Sequence, residues 1–283
     1  MRIGLALGGG GVRGLAHASV LEALDELGLK PSVIAGTSMG ALVGAIYASG
    51  ATGSEIKDGI RRHHILKEDT WSDVLGKRAD LLKWLKAFSP GFSRGGLMRV
   101  ERFLKHLFAG ITRSTFEELD IPLIVTATDY WSAREVVLAK GDLLPALQAS
   151  VAVPGIFTPV LIDGRVLIDG GITNQVPYDH VLGLADFTIA VDVRRARSPS
   201  SREIPNALEA VLGTFDIMQQ AALSQKIKHQ KPDLYLQTEI RGVRMLDFGK
   251  VEKVFTQAAP AVDLLKQQLE KLCVDQPSVL RRL

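Results

Sequence analysis

Cysteine is almost absent: Cys273 is the only one in 283 residues. A single thiol excludes an intrachain disulfide and any zinc site built on cysteines, and it suits a reducing compartment. Long hydrophobic runs are missing too. The best candidate, Ala41 to Ala48, falls far short of the roughly 18 residues a spanning helix needs. The opening Met1-Arg2-Ile3-Gly4-Leu5 lacks the basic start, apolar core and small-residue cleavage site of a secretory signal. The net charge of +3 is too small to argue for nucleic acid. No internal repeat and no low-complexity linker interrupts the chain. These absences lead to the expectation of a soluble, cytoplasmic protein without a nucleic-acid partner; they carry no signal about oligomeric state.

What is present is an ordinary globular composition, 46% hydrophobic and 23% charged, in a chain long enough for one large α/β domain or two small ones. Ile3 to Leu7 reads as a buried strand running into Gly8-Gly9-Gly10-Gly11-Val12-Arg13-Gly14. Leu15, Val20, Leu21, Leu24 and Leu27 then recur at helical spacing until Gly28. A strand, a glycine loop and a helix leave backbone N–H groups unpaired at a positive dipole end, which makes an anion cradle. Two readings of that cradle compete with a plain structural turn. Gly9-x-Gly11-x-x-Gly14 matches the dinucleotide fingerprint, and the same N–H groups could hold the oxyanion of an acyl-transfer intermediate. The fingerprint wants an acidic residue closing the second strand; Val33 to Ala35 leads instead to Gly36-Thr37-Ser38, with no acid.

Gly36-Thr37-Ser38-Met39-Gly40 fits the G-x-S-x-G nucleophile elbow, a tight strand-to-helix turn that lifts a serine hydroxyl clear of the sheet. The helix from Met39 to Ser49 is apolar nearly all round and is expected to be buried. Further strands are expected at Ile121 to Thr128, Arg134 to Lys140, Arg165 to Ile168, Phe187 to Val193 and Asp233 to Thr238. Helices are expected at Leu143 to Ser150, Ala207 to Lys228 and Val251 to Leu272. The alternation calls for one mixed or parallel sheet covered on both faces. Residues 61–105 differ in character: eleven Lys or Arg stand against five acids, a local +6, with Leu81, Leu82, Trp84, Leu85 and Phe88 among them. A helical cap resting on anionic lipid would look like this, and so would a solvated helix face.

A serine needs a base. Of the six histidines, none follows a core strand on a short turn; His180, after Tyr178-Asp179, is the least unsuitable member of a Ser-Asp-His triad. Asp169 ends the apolar strand Arg165 to Ile168, with Gly170 and Gly171 behind it. It could accept the Ser38 proton directly if burial tunes its pKa, although Asp-Gly is also an ordinary turn signal.

Taken in order, Gly9 to Gly14, Gly36 to Gly40, Thr126-Ala127-Thr128-Asp129, Ser150 to Pro159 and Asp169 to Pro177 resemble the patatin-like phospholipases. The resemblance covers residues 3–195 firmly and the C-terminal helices loosely. It implies a three-layer α/β/α sandwich around a mostly parallel sheet, and a lipid acyl hydrolase with a Ser38–Asp169 dyad, no catalytic histidine, no metal and no cofactor. It also implies an oxyanion hole from the N–H groups of Gly9, Gly10 and Gly11. Arg13 and Gly14, Gly36 and Gly40, and Gly170 and Gly171 would support the motifs, Arg13 by bracing the loop or attracting phosphate. Where the family often has Asp-Gly-Ala, this chain has Asp169-Gly170-Gly171. The implied organisation is one hydrolase domain over 1–283, with a core at 3–195, a cap-like segment at 61–105 and a strand and helical extension at 203–283. The implied partner is a lipid or acyl-ester substrate, with peripheral membrane contact through 61–105. A nucleotide-binding protein using Gly9 to Gly14 and a catalytically weak lipid-binding regulator are the alternatives.

Overall fold

The structure, a computed structural model, describes residues 2–62, 111–194, 204 and 207–275. The cap-like segment expected at 61–105 therefore lies outside the described residues from 63 onward, as does the basic loop beyond Arg194.

Eight strands form one sheet: β1 (Ile3–Leu7), β2 (Pro31–Thr37), β3 (Leu123–Asp129), β4 (Arg134–Leu138), β5 (Val160–Ile162), β6 (Arg165–Asp169), β7 (Phe187–Asp192) and β8 (Leu234–Gln237). The order is β5-β6-β3-β2-β1-β7-β8, with β4 paired to β3. The run β3-β2-β1-β7-β8 is parallel, while β4 and β6 both lie antiparallel to β3. Parallel neighbours cannot be joined by tight turns, so helices cross the faces. Among the described residues they are α1 (His17–Glu26), α2 (Met39–Ala48), α3 (Gly53–Arg62), α4 (Leu143–Ser150), α5 (Ala207–His229) and α6 (Val251–Asp275).

Strand periodicity sorts the core into two layers. Ile3, Leu5 and Leu7 of β1, Ile34 of β2, and Ile189 and Val191 of β7 enter the cluster shared with α1, α2 and α6. The intervening Ala6, Val33, Ala35 and Ala190 face a second cluster with Tyr178, Val181 and Leu223 of α5. With apolar residues needed on both faces, β1 is buried at every position. The result is the expected three-layer α/β/α arrangement around a mostly parallel sheet.

One feature of the register governs the site. Residues Ala127 and Thr128 of β3 pair with β4 on one edge and with β6 on the other. Val125 and Thr126 pair with β4 and with β2. A strand has only two edges, so β2 and β6 share one edge of β3 and meet there end to end. Thr37, the last residue of β2, lies opposite Thr126; Asp169, the last of β6, lies opposite Ala127.

Candidate active site

The chain leaves β2 at Ser38, whose backbone sits at φ 52° and ψ −123°. That region costs a non-glycine residue about 1–3 kcal/mol and persists only where the surroundings impose it. The surroundings do so here. The Ser38 N–H donates to Ser150 Oγ at 2.8 Å, and its carbonyl accepts the Leu42 N–H of α2 at 3.2 Å. Gly36 and Gly40 let the turn close, since a Cβ on Gly36 would lie 2.5 Å from the Ala41 Cα. The N-terminus of α2 thus begins at Ser38 and turns its positive dipole end toward it.

The abutting strand ends bring Asp169 to the same point. Its N–H donates to the Ala152 carbonyl at 3.0 Å, its own carbonyl accepts the Thr128 hydroxyl at 3.0 Å, and Oδ1 accepts the Gly171 N–H at 2.7 Å. Burial pushes the Asp169 carboxyl up to about 6. Hydrogen bonds from the Ser38 side chain and the Gly171 N–H pull the other way. Ser38 and Asp169, about 130 positions apart in sequence, are therefore brought together, both buried, with the Ser38 side chain near enough to lower the Asp169 pKa. Gly170 permits the approach: a Cβ there would lie 2.3 Å from the Thr126 carbonyl oxygen.

The glycine loop runs beside Ser38, with the position of a Gly9 Cβ only 3.3 Å from the Ser38 Cβ. Its amides are not equivalent. The Gly9 N–H, one of the three expected to line an oxyanion hole, donates to the Gln175 carbonyl at 3.0 Å. Among the described residues neither the Gly10 nor the Gly11 N–H has an acceptor. Gly11 has a φ of 57°, and Gly14 is packed so closely on Met39 that a Cβ would lie 2.6 Å from that side chain.

Over residues 5–182 the chain matches the patatin-like phospholipase family. It belongs to that family. It is 35% identical over 203 residues to an NTE family protein of Mycobacterium bovis, a match covering 71% of this chain and 52% of the relative. It is 28% identical over 295 residues to Lysophospholipase nte1 of Aspergillus fumigatus, covering 95% of this chain and 18% of that protein. The chain thus spans about half the length of the first relative and under a fifth of the second. Among solved structures it is similar to VipD from Legionella pneumophila, at 14% identity and a TM-score of 0.47 over 92% of this chain and 66% of that one. It is also similar to human GIVD cytosolic phospholipase A2, at 11% identity and a TM-score of 0.45 over 95% and 57%.

The remaining expected residues of this patatin-like chain fall into place around that centre. Arg13 is buried and points away from solvent, with Nη1 3.4 Å from the Val243 carbonyl and Nη2 3.5 Å from Asp216. These contacts tie the glycine loop to the C-terminal segments. His17 is buried beneath the loop; burial lowers its pKa to about 4, so it is neutral near pH 7, with Nε2–H donating to the Gly8 carbonyl at 2.7 Å. His180 pairs with Glu135 at 2.8 Å, not with Ser38 or Asp169. His63, His64 and His106 lie outside the described residues.

Residues without an assigned role in the sequence complete the surroundings. The Thr37 hydroxyl donates to the Asn174 carbonyl at 2.8 Å, so the Thr126 hydroxyl, 2.7 Å away, donates to Thr37. The Asn174 side chain donates to Glu135 and Asp179 and accepts from Lys226 Nζ at 2.7 Å. Among the described residues, Glu135, Asp179 and His180 form one cluster with metal-ligand chemistry, but the Lys226 ammonium already bonds the Asp179 carboxylate. Sequence carries little signal for these contacts, because each joins segments far apart in the chain.

Proposed function

We propose that this chain is a lipid acyl hydrolase of the phospholipase A, lysophospholipase or esterase type, working through Ser38 and Asp169. The observation that carries the reading is the meeting, at the abutting ends of β2 and β6, of a serine held in a strained elbow and a buried carboxyl whose pKa is pushed up to about 6. A carboxylate with that pKa is ionised at neutral pH yet basic enough to take a proton in the transition state. The Ser38 oxygen attacks the ester carbonyl carbon while Asp169 accepts the hydroxyl proton. The carbonyl oxygen becomes an oxyanion met by the N–H groups of Gly10 and Gly11, which have no acceptor among the described residues, and by the start of α2. Collapse breaks the bond to the leaving alcohol, which takes the proton from Asp169. Water then attacks the acyl-enzyme, gives its proton to Asp169, and Ser38 leaves with that proton as the fatty acid is released. Each oxyanion donor of this kind is worth about 10²–10³ in rate.

Family membership and the lysophospholipase name of one relative support lipid esters as the substrate class. The dinucleotide alternative for Gly9 to Gly14 loses support, because the Gly9 N–H is engaged and no acid closes β2. No helix among the described residues is long and apolar enough to cross a membrane.

The test is a turnover screen on phospholipids, lysophospholipids and p-nitrophenyl esters, together with a fluorophosphonate probe and mass spectrometry. Turnover and labelling at Ser38, both lost in Ser38→Ala, are expected. A folded wild-type chain that binds lipid but hydrolyses nothing would point to the regulatory alternative. Unlabelled Ser38 in an active enzyme would sink the serine mechanism.

A further inference from the structure

The glycine loop offers two consecutive peptide units to the site, and the protein holds them in different ways. In the Gly8–Gly9 unit both polar ends are engaged: the Gly8 carbonyl accepts from His17 Nε2 at 2.7 Å and the Gly9 N–H donates to the Gln175 carbonyl at 3.0 Å. In the Gly9–Gly10 unit only the carbonyl is engaged, accepting from Gln175 Nε2 at 2.6 Å. The Gly10 N–H has no acceptor among the described residues.

A trans peptide is planar, and its C=O and N–H point in opposite directions. Fixing the Gly9 carbonyl on Gln175 therefore fixes the Gly10 N–H in the opposite sense. With glycine on both sides of that peptide, no Cβ resists a flip of the unit, so its orientation has to come from a partner. That partner is the buried Gln175 side chain. Only its NH₂ end can donate to a carbonyl, which sets the way round the amide sits. Room for its other end comes from Gly171, where a Cβ would lie 2.5 Å from Gln175 Oε1. Donation to the Gly9 carbonyl also polarises the peptide and strengthens the Gly10 N–H as a donor.

We propose that Gln175 is a positioning residue for ester hydrolysis: its side-chain amide holds the Gly9–Gly10 peptide so that the Gly10 N–H is free to meet the oxyanion formed at Ser38. This inference rests on the hydrolase reading above. One residue thus links the glycine loop, through both its main chain and its side chain, to the segment that carries Asp169.

The decisive comparison uses the full chain with Gln175→Met, similar in length but without a donor, and Gln175→Glu, similar in shape but without a donor when ionised. Both keep the main-chain bond to the Gly9 N–H. On a soluble p-nitrophenyl ester, kcat should fall about 10²-fold in each, the loss typical of one oxyanion donor, while KM and the melting temperature stay near wild type. The Glu variant should recover relative to wild type as pH falls, because a protonated carboxyl can donate to the Gly9 carbonyl again; Gln175→Met should not. If Gln175→Met fails to fold, the pH course of the Glu variant decides alone. Values of kcat within about threefold of wild type in either folded variant, judged against that typical loss, overturn the proposal. So does a pH-independent loss that tracks a lowered melting temperature. Both outcomes leave the hydrolase reading intact. A wild-type chain that neither turns over esters nor labels at Ser38 removes that reading first and this inference with it.

Discussion

Gly40 stands so close to the end of β1 that a Cβ on it would lie 2.1 Å from the Leu7 carbonyl oxygen. Both partners are backbone, so neither can swing aside. Gly40→Ala is expected to destabilise the fold by about 3 kcal/mol or more, the upper end of what overpacking costs. Gly59, within α3, has no atom of the described residues within 4 Å of its Cβ position and no unusual φ. Gly59→Ala should stabilise by up to about 1 kcal/mol through helix propensity. Urea unfolding of the pair separates crowding at the elbow from the general effect of adding a methyl. A Gly40→Ala protein as stable as wild type would mean that the elbow does not pack on β1 in this way.

Asp169 couples activity to pH. Its pKa is raised from 3.8 to about 6, chiefly by burial. In the proposed mechanism it accepts a proton and so must be ionised, which predicts a kcat/KM that rises with pH through a midpoint near 6. Stability runs the opposite way. A raised carboxyl pKa gives a contribution fully present below pH 3.8 and lost as pH rises through about 6. Asp169→Asn, which keeps an acceptor for the Gly171 N–H, should therefore be inactive. It should also be more stable than wild type at pH 8 by about 2–3 kcal/mol, an advantage that vanishes below pH 4. An Asn variant that is less stable at pH 8 would contradict the burial argument.

Backbone strain at Ser38 can be measured separately from chemistry. Both Ser38→Ala and Ser38→Gly remove the hydroxyl, but only glycine adopts a φ of 52° without steric penalty. Relief of about 1–3 kcal/mol of strain, less about 0.5–1 for glycine's extra unfolded freedom, leaves the Gly variant more stable by about 1 kcal/mol. Equal melting temperatures for the two would argue against a strained elbow.

His180 discriminates the dyad from a triad. Its bond to Glu135 raises its pKa above the ordinary 6.5, so its stabilising contribution is present below 6.5 and lost as pH rises through the raised value. His180→Ala should lower the melting temperature at pH 6 and leave it nearly unchanged at pH 9, with ester turnover within about threefold of wild type, far from the 10²-fold and larger losses expected of a lost proton-transfer group. Abolished turnover in a folded His180→Ala protein would favour a Ser-Asp-His arrangement.

Much of this architecture was legible because it is local. Short apolar runs gave strands at β1, β3, β6 and β7 close to where they lie, and the all-round apolar stretch after Ser38 is a buried helix. The three-residue β5 escaped the reading, although Asp163-Gly164, with φ values of 49° and 74°, carries the two-residue hairpin signal that joins it to β6. Arg13 and Gly9 were harder. A glycine-rich loop announces spare amides, but which amides remain spare depends on Gln175, and where a guanidinium ends depends on Val243 and Asp216, all more than 150 positions away.

From sequence alone came the elbow around Ser38, the strand that ends in Asp169 and the glycine loop, because periodicity and backbone sterics act over a few neighbouring residues. The sharing of one β3 edge by β2 and β6, the rise in the Asp169 pKa and the engagement of the Gly9 amide by Gln175 were decided only in the tertiary structure. Burial, strand register and hydrogen-bond competition are properties of segments brought together across the whole chain, and no local pattern records them.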